Sequence, residues 1–352
     1  MLAPPPEPNQ PAAGERPHGL RIVPLADLAL SNASTARGEA GSSARHGEQL
    51  DLSVLFATHR RADILEKTLE AFTSISADTL RWHLVVVDNA DDIASQEVLR
   101  RYETSLPLTW LVESRAGKNR ALNAALPLLR GDIFVFTDDD VLPDTRWLEE
   151  LMSAAKRWPE YAIFGGRIVP DRALPFDTSE PMIRSAYVIS DDYPSDTEIR
   201  AGRIWGPNMA IRAATFRARA VAFDESIGPA AGKNYAMGSE TELLLRLQAL
   251  GERCMFVPAA VVRHQIRPEQ VSLPWLRERC FRAGRGHARR YPASGDGLWL
   301  GVPRYLVRTA VTGCVKRHVA ALFQSRDVYV RISLEHSFVL GQIAEHFSHS
   351  RN

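Results

Sequence analysis

From residue 51 onward the chain alternates between two hydrophobic patterns. Compact apolar runs predict buried strands: LSVLFAT at 52–58, HLVVVDN at 83–89, LTWLVE at 108–113 and DIFVFT at 132–137. Between them lie segments with helical spacing. In ADILEKTLEAFTS, 62–74, residues Ile64, Leu65, Thr68, Leu69 and Phe72 share one face; AGKNRALNAALPLL, 116–129, opens on glycine and continues as a helix. Strands that are apolar at nearly every position are covered on both sides. The pattern therefore predicts an α/β fold around a mostly parallel sheet. Ligands of such sheets bind beyond the carboxyl ends of the strands. Thr58, Asp88 and Asp138–Asp140 all stand at those ends, so the fold gathers them into one crevice.

The second half is less regular. YAIFGGRIVP (161–170) contains a strand, and GPNMAIRAATF (206–216) reads as a strand running into a helix. GSETELLLRLQALG (238–251) predicts a helix with Leu243, Leu244, Leu247 and Leu250 on one side and Gly251 as its stop. CMFVPAAVVRH (254–264) reads as a strand, a turn at Pro258 and a second strand ending in His264. Residues 263–292 are basic, with eight Arg against two Glu. Residues 297–352 predict two helices and carry six Arg and one Lys against one Asp and two Glu. In the first, Arg304, Arg308 and Lys316 read as lying opposite Leu306, Val307, Val311, Val315 and Leu322. Such a basic amphipathic helix either lies on an anionic membrane surface or packs its apolar side on the domain.

Composition narrows the class. With 352 residues, 45% of them hydrophobic and 24% charged, the chain can bury one large α/β domain with appendages. A net charge of +1 argues against bulk binding to nucleic acid. The three cysteines, Cys254, Cys280 and Cys314, form no CxxC pair, which argues against a disulfide framework or a cysteine zinc site and fits a reducing compartment. Residues 1–48, rich in Pro, Ala and Gly, read as a flexible N-terminal arm without the apolar stretch of a secretory signal. No run reaches the roughly 18 apolar residues of a membrane-spanning helix. The expectation is a cytoplasmic chain, with peripheral contact at the inner face of the cell membrane if the basic tail binds there. The expected organisation is the arm at 1–48, an α/β domain at 49–292 divided near residue 145, and a helical tail at 293–352.

FVFTDDDVLPD, 134–144, ends a buried strand with three adjacent carboxylates. Like charges so placed call for a cation. A hard ion such as Mg²⁺ or Mn²⁺ takes one or two carboxylates together with substrate phosphates. Asp140 is the first candidate ligand, with Asp138 facing a sugar or ribose and Asp139 sharing the ion; the alternative is a solvated acidic turn. Asp88 is placed to accept from a base N–H, or else to cap the next helix. Thr58 to Arg61, with Arg60 among them, follow the first strand, where a ribose or phosphate would lie. Gly117, Lys118 and Arg120 open a helix, a favourable place for an anion, or form a solvated basic face.

The ordered blocks LSVLFATHRR, VVVDNADD, GKNRALNAAL and FVFTDDDV, followed by GPNMAIR, FDESIG and GSETELLLRLQALGERCMFVPAAVVRH, resemble family 2 glycosyltransferases of the GT-A fold, over roughly residues 50 to 285. The resemblance implies a Rossmann-like nucleotide-binding half with a mixed central sheet, followed by C-terminal helices. It implies transfer of a sugar from a nucleotide-diphosphate donor to an acceptor hydroxyl, usually with inversion, as in bacterial-type polysaccharide or glycolipid synthesis. A UDP-sugar is the commoner donor, and the acceptor is a glycan or a lipid-linked sugar. On this resemblance Asp88 contacts the base, and Asp138 and Asp140 form the DxD motif that holds the metal and donor. The family's Glu-Asp pair at a late helix becomes Ser239-Glu240 here, making Glu240 the general base and Glu242 a second candidate. His264 matches a position that often completes the metal shell or touches the diphosphate, the alternative being a structural histidine at a strand end. Trp205 to Asn208 border the acceptor pocket, and Arg279, Arg282 and Arg285 either close over the diphosphate or form a solvated helix face.

Two rivals remain from the sequence. A haloacid-dehalogenase-like phosphatase also places DxD after an apolar strand, but usually the first strand, and with Thr or Val where Leu142 stands here. A catalytically silent nucleotide-sugar or glycan-binding module would tolerate Glu240 in place of the usual Asp.

Overall fold

The computed structural model describes residues 51–76, 79–229, 235–292, 297–299 and 301–349; the expected arm at 1–48 lies outside the described residues. The strands are β1 Leu52–Thr58, β2 Trp82–Asp88, β3 Leu108–Val112, β4 Ile133–Phe136, β5 Val141–Pro143, β6 Ile163–Pro170, β7 Thr197–Ile199, β8 Met209–Arg212, β9 Cys254–His264, β10 Leu298–Trp299 and β11 Val302–Pro303. The helices are α1 Ala62–Thr73, α2 Ile93–Tyr102, α3 Lys118–Ala125, α4 Trp147–Arg157, α5 Pro181–Tyr187, α6 Ala213–Ala218, α7 Ser239–Ala249, α8 Leu273–Arg290, α9 Arg304–Phe323 and α10 Arg326–His349.

The large sheet runs β3-β2-β1-β4-β8-β6-β9-β5, with β7 paired to β9 off that path. Its first half is parallel, and alternate side chains of each strand feed opposite layers. Leu52, Val54, Phe56, Leu84 and Val86 point into one core with Leu65, Leu69 and Phe72 of α1 and Trp147 and Leu148 of α4. Leu55, Val85, Val87, Phe134 and Phe136 point into the other, with Ala121 and Leu122 of α3 and Leu243, Leu244 and Leu247 of α7. Each fully buried Leu or Phe contributes about 1.5–3 kcal/mol. This double coverage is why the strands read as continuous apolar runs.

The second half departs from the parallel expectation. β8 enters antiparallel beside β4, pairing Phe136 with Met209, and β6 pairs antiparallel to β8. The turn expected at Pro258 is absent: β9 passes straight through it. The register with β6 steps from Gly166↔Val257 to Arg167↔Val261, so Pro258 falls in an unpaired bulge where its missing N–H leaves no ladder bond unmade. β5, too short and too close to a proline to show periodicity, pairs antiparallel to the end of β9 and sets Val141 opposite His264.

The tail packs on the domain. α10 lies along α8, and both glycines at the crossing are needed there. A Cβ on Gly284 would come 2.0 Å from the Phe338 carbonyl oxygen, and one on Gly341 1.9 Å from that of Phe281. Arg285 and Arg289 both reach Glu345, which is buried. α9 packs on α10, but not with the face the sequence suggested. Leu306 is buried, whereas Val311, Val315 and Leu322 are exposed on the same side as Arg304 and Arg308. The basic and apolar positions of this helix are therefore mixed on one face rather than opposed.

Candidate active site

The three adjacent aspartates have separate partners. Thr58, at the end of β1, donates its hydroxyl to Asp139 Oδ2 at 2.8 Å. Arg61, just before α1, reaches Asp139 Oδ1 at 3.2 Å and Asp140 Oδ2 at 3.0 Å. Thr68 of α1 donates to the Asp139 carbonyl oxygen at 2.7 Å. The parallel pairing of β1 with β4 makes these contacts possible, because it brings both strand ends to one level.

Asp140 also faces His264, whose Nε2 lies 3.6 Å from Oδ1. His264 Nδ1 is 3.0 Å from the Tyr187 carbonyl oxygen, which accepts a hydrogen from that nitrogen and leaves Nε2 turned toward Asp140. Burial alone would push the Asp140 carboxyl up, but His264, Arg61 and Arg267 together hold it well below the usual range. Burial opposes a charged imidazole, yet Asp140 raises the His264 pKa above its ordinary value. Asp139 moves the other way, pushed up to about 6 by burial and its neighbouring carboxylates despite Arg61.

Lys118, at the first turn of α3, bridges the two halves. Its Nζ donates to Asp138 Oδ1 at 2.6 Å and to Glu240 Oε1 at 2.7 Å. Glu240, on the first turn of α7, also accepts from Ser239 Oγ at 2.9 Å. Burial would lower the lysine pKa and raise that of Glu240. The ion pairs reverse both, keeping Lys118 well above its ordinary value and Glu240 at about 2. Gly206 makes room for the Glu240 side chain, since a Cβ there would lie 2.8 Å from Glu240 Oε1.

Most of the other sequence candidates have protein partners. Asp88 is fully buried and accepts from Ala90 N, Asp92 N and Gln96 Nε2 at 3.0, 2.8 and 3.0 Å. Arg60 is exposed, with a positive φ of 52°. Arg120 pairs with Glu225 at 2.9 Å, and Glu242 pairs with Arg246 at 2.7 Å. Asn208 is buried: it accepts from Trp147 Nε1 at 2.9 Å and donates to the Arg167 and Ala260 carbonyls at 3.0 and 2.9 Å. Arg279 donates to the Ala186 carbonyl, Arg282 to the Tyr235 hydroxyl, and Arg285 meets Glu345.

Two residues shape the crevice in roles the sequence did not assign: Arg61 was expected only within the stretch 58–61 beside a ribose or phosphate, and Asn89 had no expected role. Arg61 is the counter-ion of two carboxylates, and its signal was the Arg60-Arg61 pair directly after a strand. Asn89 donates to the Glu113 and Arg115 carbonyls and accepts from Gly117 N at 3.0 Å, so it fixes the loop that delivers Lys118.

This arrangement puts a carboxylate from the turn after β4 and one from α7 on one lysine at the carboxyl end of a mixed sheet. The profile of the glycosyl transferase family 2 matches residues 53–228, which carry every element of this crevice up to α6. The chain belongs to glycosyltransferase family 2. Among relatives of this family 2 glycosyltransferase, the succinoglycan biosynthesis protein ExoM of Rhizobium meliloti (strain 1021) is 25% identical over 260 residues, covering 71% of this chain and 78% of that protein. The glycosyltransferase AglE of Haloferax volcanii is 30% identical over 104 residues, 29% of this chain and 34% of that one. Among solved structures, the mannosyltransferase PcManGT from Pyrobaculum calidifontis, in complex with GDP-Man and Mn²⁺, aligns with a TM-score of 0.57 at 16% identity, covering 88% of this chain and 90% of that one. TarS 1–349 of S. aureus, in complex with UDP-GlcNAc, aligns with a TM-score of 0.51 at 14% identity, covering 86% and 92%. The fold of this family 2 glycosyltransferase is GT-A, with additional C-terminal helices.

Proposed function

We propose that the enzyme moves a sugar from a nucleotide-diphosphate donor to an acceptor hydroxyl, with inversion and with a divalent cation, in polysaccharide or glycolipid synthesis. The observation that carries this is the bridge from Asp138 through Lys118 to Glu240, at 2.6 and 2.7 Å. It joins an acidic strand end suited to a donor with a carboxylate suited to an acceptor. Glu240 is the base that takes the acceptor proton. With Lys118 against it, Glu240 is too acidic for that role. A donor diphosphate that draws the lysine away raises Glu240 toward the carboxylate range and readies it.

Among the described residues, no group of three or more His, Cys, Asp or Glu forms a ready-made metal centre. The donor set nevertheless suits Mg²⁺ or Mn²⁺ completed by substrate. Asp140 offers a carboxylate, and His264 offers Nε2 with its ring fixed by the Tyr187 carbonyl. What a bound cation supplies is neutralisation of the charge developing on the departing diphosphate. Thr58, Arg60, Asp88 and Asp138 are assigned to the donor, and a UDP-sugar is favoured. The neighbours crystallised with GDP-Man and with UDP-GlcNAc support a nucleotide-sugar donor, and the relative named for succinoglycan biosynthesis supports the polysaccharide role.

The test is a thermal-shift screen of UDP, GDP, dTDP and CDP with Mn²⁺ and with chelator, followed by transfer assays. One nucleotide should raise the midpoint only with the metal. Asp140→Ala should lose that rise. Glu240→Gln should keep it and lose transfer by roughly 10²- to 10⁴-fold. A normal rate in Glu240→Gln refutes the base assignment.

A further inference from the structure

α9 is seated by one side only. Leu306 and Ala320 are buried toward α10, and a Cβ on Gly313 would come within 3.0 Å of His336 Cδ2. On the other side Val311, Val315, Val319, Leu322 and Phe323 are between 46% and 76% exposed. The spacing of the first four places them on one stripe of the helix. Tyr305, at the start of the helix, is also exposed, as is Trp299 in the β10–β11 hairpin just before it. A single exposed apolar side chain is ordinary, but a contiguous row with two aromatic residues at its head calls for a partner.

The charges on the same helix say which partner. Arg304, Arg308 and Lys316 are exposed, and no Asp or Glu lies between Arg304 and Phe323. A second copy of the chain, paired face to face, would meet the same cations with no acid on the face to answer them. An anionic bilayer answers both features. Its headgroups pair with the arginines and lysine, its acyl boundary takes the valines, Leu322 and Phe323, and Trp and Tyr favour the level between. None of the described helices is long and apolar enough to cross a membrane, so the contact is one of a helix lying in the surface plane.

We propose that the outward face of α9, with Trp299 of β10, docks the enzyme on an anionic lipid bilayer. The assignment does not depend on which donor or acceptor the active site takes.

Flotation of the full chain with vesicles tests it, using phosphatidylcholine alone and an equal mixture of phosphatidylcholine and phosphatidylglycerol. The chain should float with the mixture, release at high salt, and bind phosphatidylcholine only weakly. The substitution pair Val315→Glu and Leu322→Glu should abolish flotation, while circular dichroism and the thermal midpoint stay unchanged because both positions are exposed. The pair Arg308→Ala and Lys316→Ala should weaken binding about thirtyfold. Absence of flotation with the mixture, or flotation unaffected by both pairs, overturns the proposal. So does a concentration-dependent dimer that the Glu pair dissociates in a chain that never floats, because the face would then belong to a second copy.

Discussion

Removing Lys118 tests whether its bridge holds the two halves of the site together. In Lys118→Met the side-chain volume is kept and the cation is lost from between Asp138 and Glu240. The lysine and Glu240 side chains are only 19% and 18% exposed, so the pair is little screened by solvent. Glu240 is held at about 2 against an ordinary 4.5. At neutral pH that gap corresponds to about 3 kcal/mol of stability, which is within the cost of breaking a buried pair. The sign follows from a depressed carboxylate: the stabilisation is complete above about 4.5 and is lost as the pH falls toward about 2. Thermal midpoints of wild type and Lys118→Met should differ by roughly 6 °C at pH 7. By pH 3 the free-energy difference should shrink to roughly half. Made in a Glu240→Gln background, the same substitution should cost about 2 kcal/mol less, because the pair is then already broken. A cost below about 1 kcal/mol at pH 7, or an equal cost at both pH values, refutes the reasoning.

Gly206→Ala pushes a methyl against Glu240 and should lower kcat more than tenfold, on the order of one general-base contact misplaced, while the thermal midpoint barely moves; steady-state kinetics check this, and an unchanged kcat would show that the base tolerates displacement. Asn208→Ala leaves the Trp147 indole N–H and two carbonyls unpaired in the core and should cost about 3 kcal/mol or more in denaturant unfolding, with KM for the donor unchanged. Asp139→Asn keeps an acceptor for Thr58 and removes a carboxylate that burial already disfavours. It should weaken the Mn²⁺-dependent nucleotide shift less than Asp138→Asn or Asp140→Asn does, and equal losses in all three would place Asp139 on the cation.

What the sequence made legible was what depends on local pattern. Leu52 to Thr58 and Ile133 to Phe136 are apolar at every or nearly every position because both faces of the sheet are covered, and that pattern needs no long-range knowledge. The strand ends therefore located Thr58 and the aspartates correctly beside one another. Pairings between distant segments were less legible. β5 is three residues long, and only its register with β9 brings His264 to Asp140. Pro258 looked like a turn because its missing N–H usually ends a strand, but the bulge removes the need for that donor. On α9, spacing alone could not say which of two faces the domain would cover, and α10 chose the one with Leu306 and Ala320.

The acidic turn after β4 divides its work among three carboxylates. Asp139 is turned into the protein, where Thr58 and Arg61 take its carboxylate and Thr68 takes its carbonyl oxygen, so it ties the turn to β1 and α1. The three residues lie in the turn between β4 and β5, so Asp138 and Asp140 take directions of their own. Each then meets a group from a different part of the chain: Asp138 meets Lys118, and Asp140 meets Arg61 and His264. Arg61 serves both Asp139 and Asp140, so two buried carboxylates share one cation. A ligand that displaces Arg61 from Asp140 leaves it still held by Asp139 at 3.2 Å. The cost of three adjacent carboxylates is thus met within the protein: Asp139 and Asp140 are buried against Arg61, and Asp138, only partly exposed, pairs with Lys118.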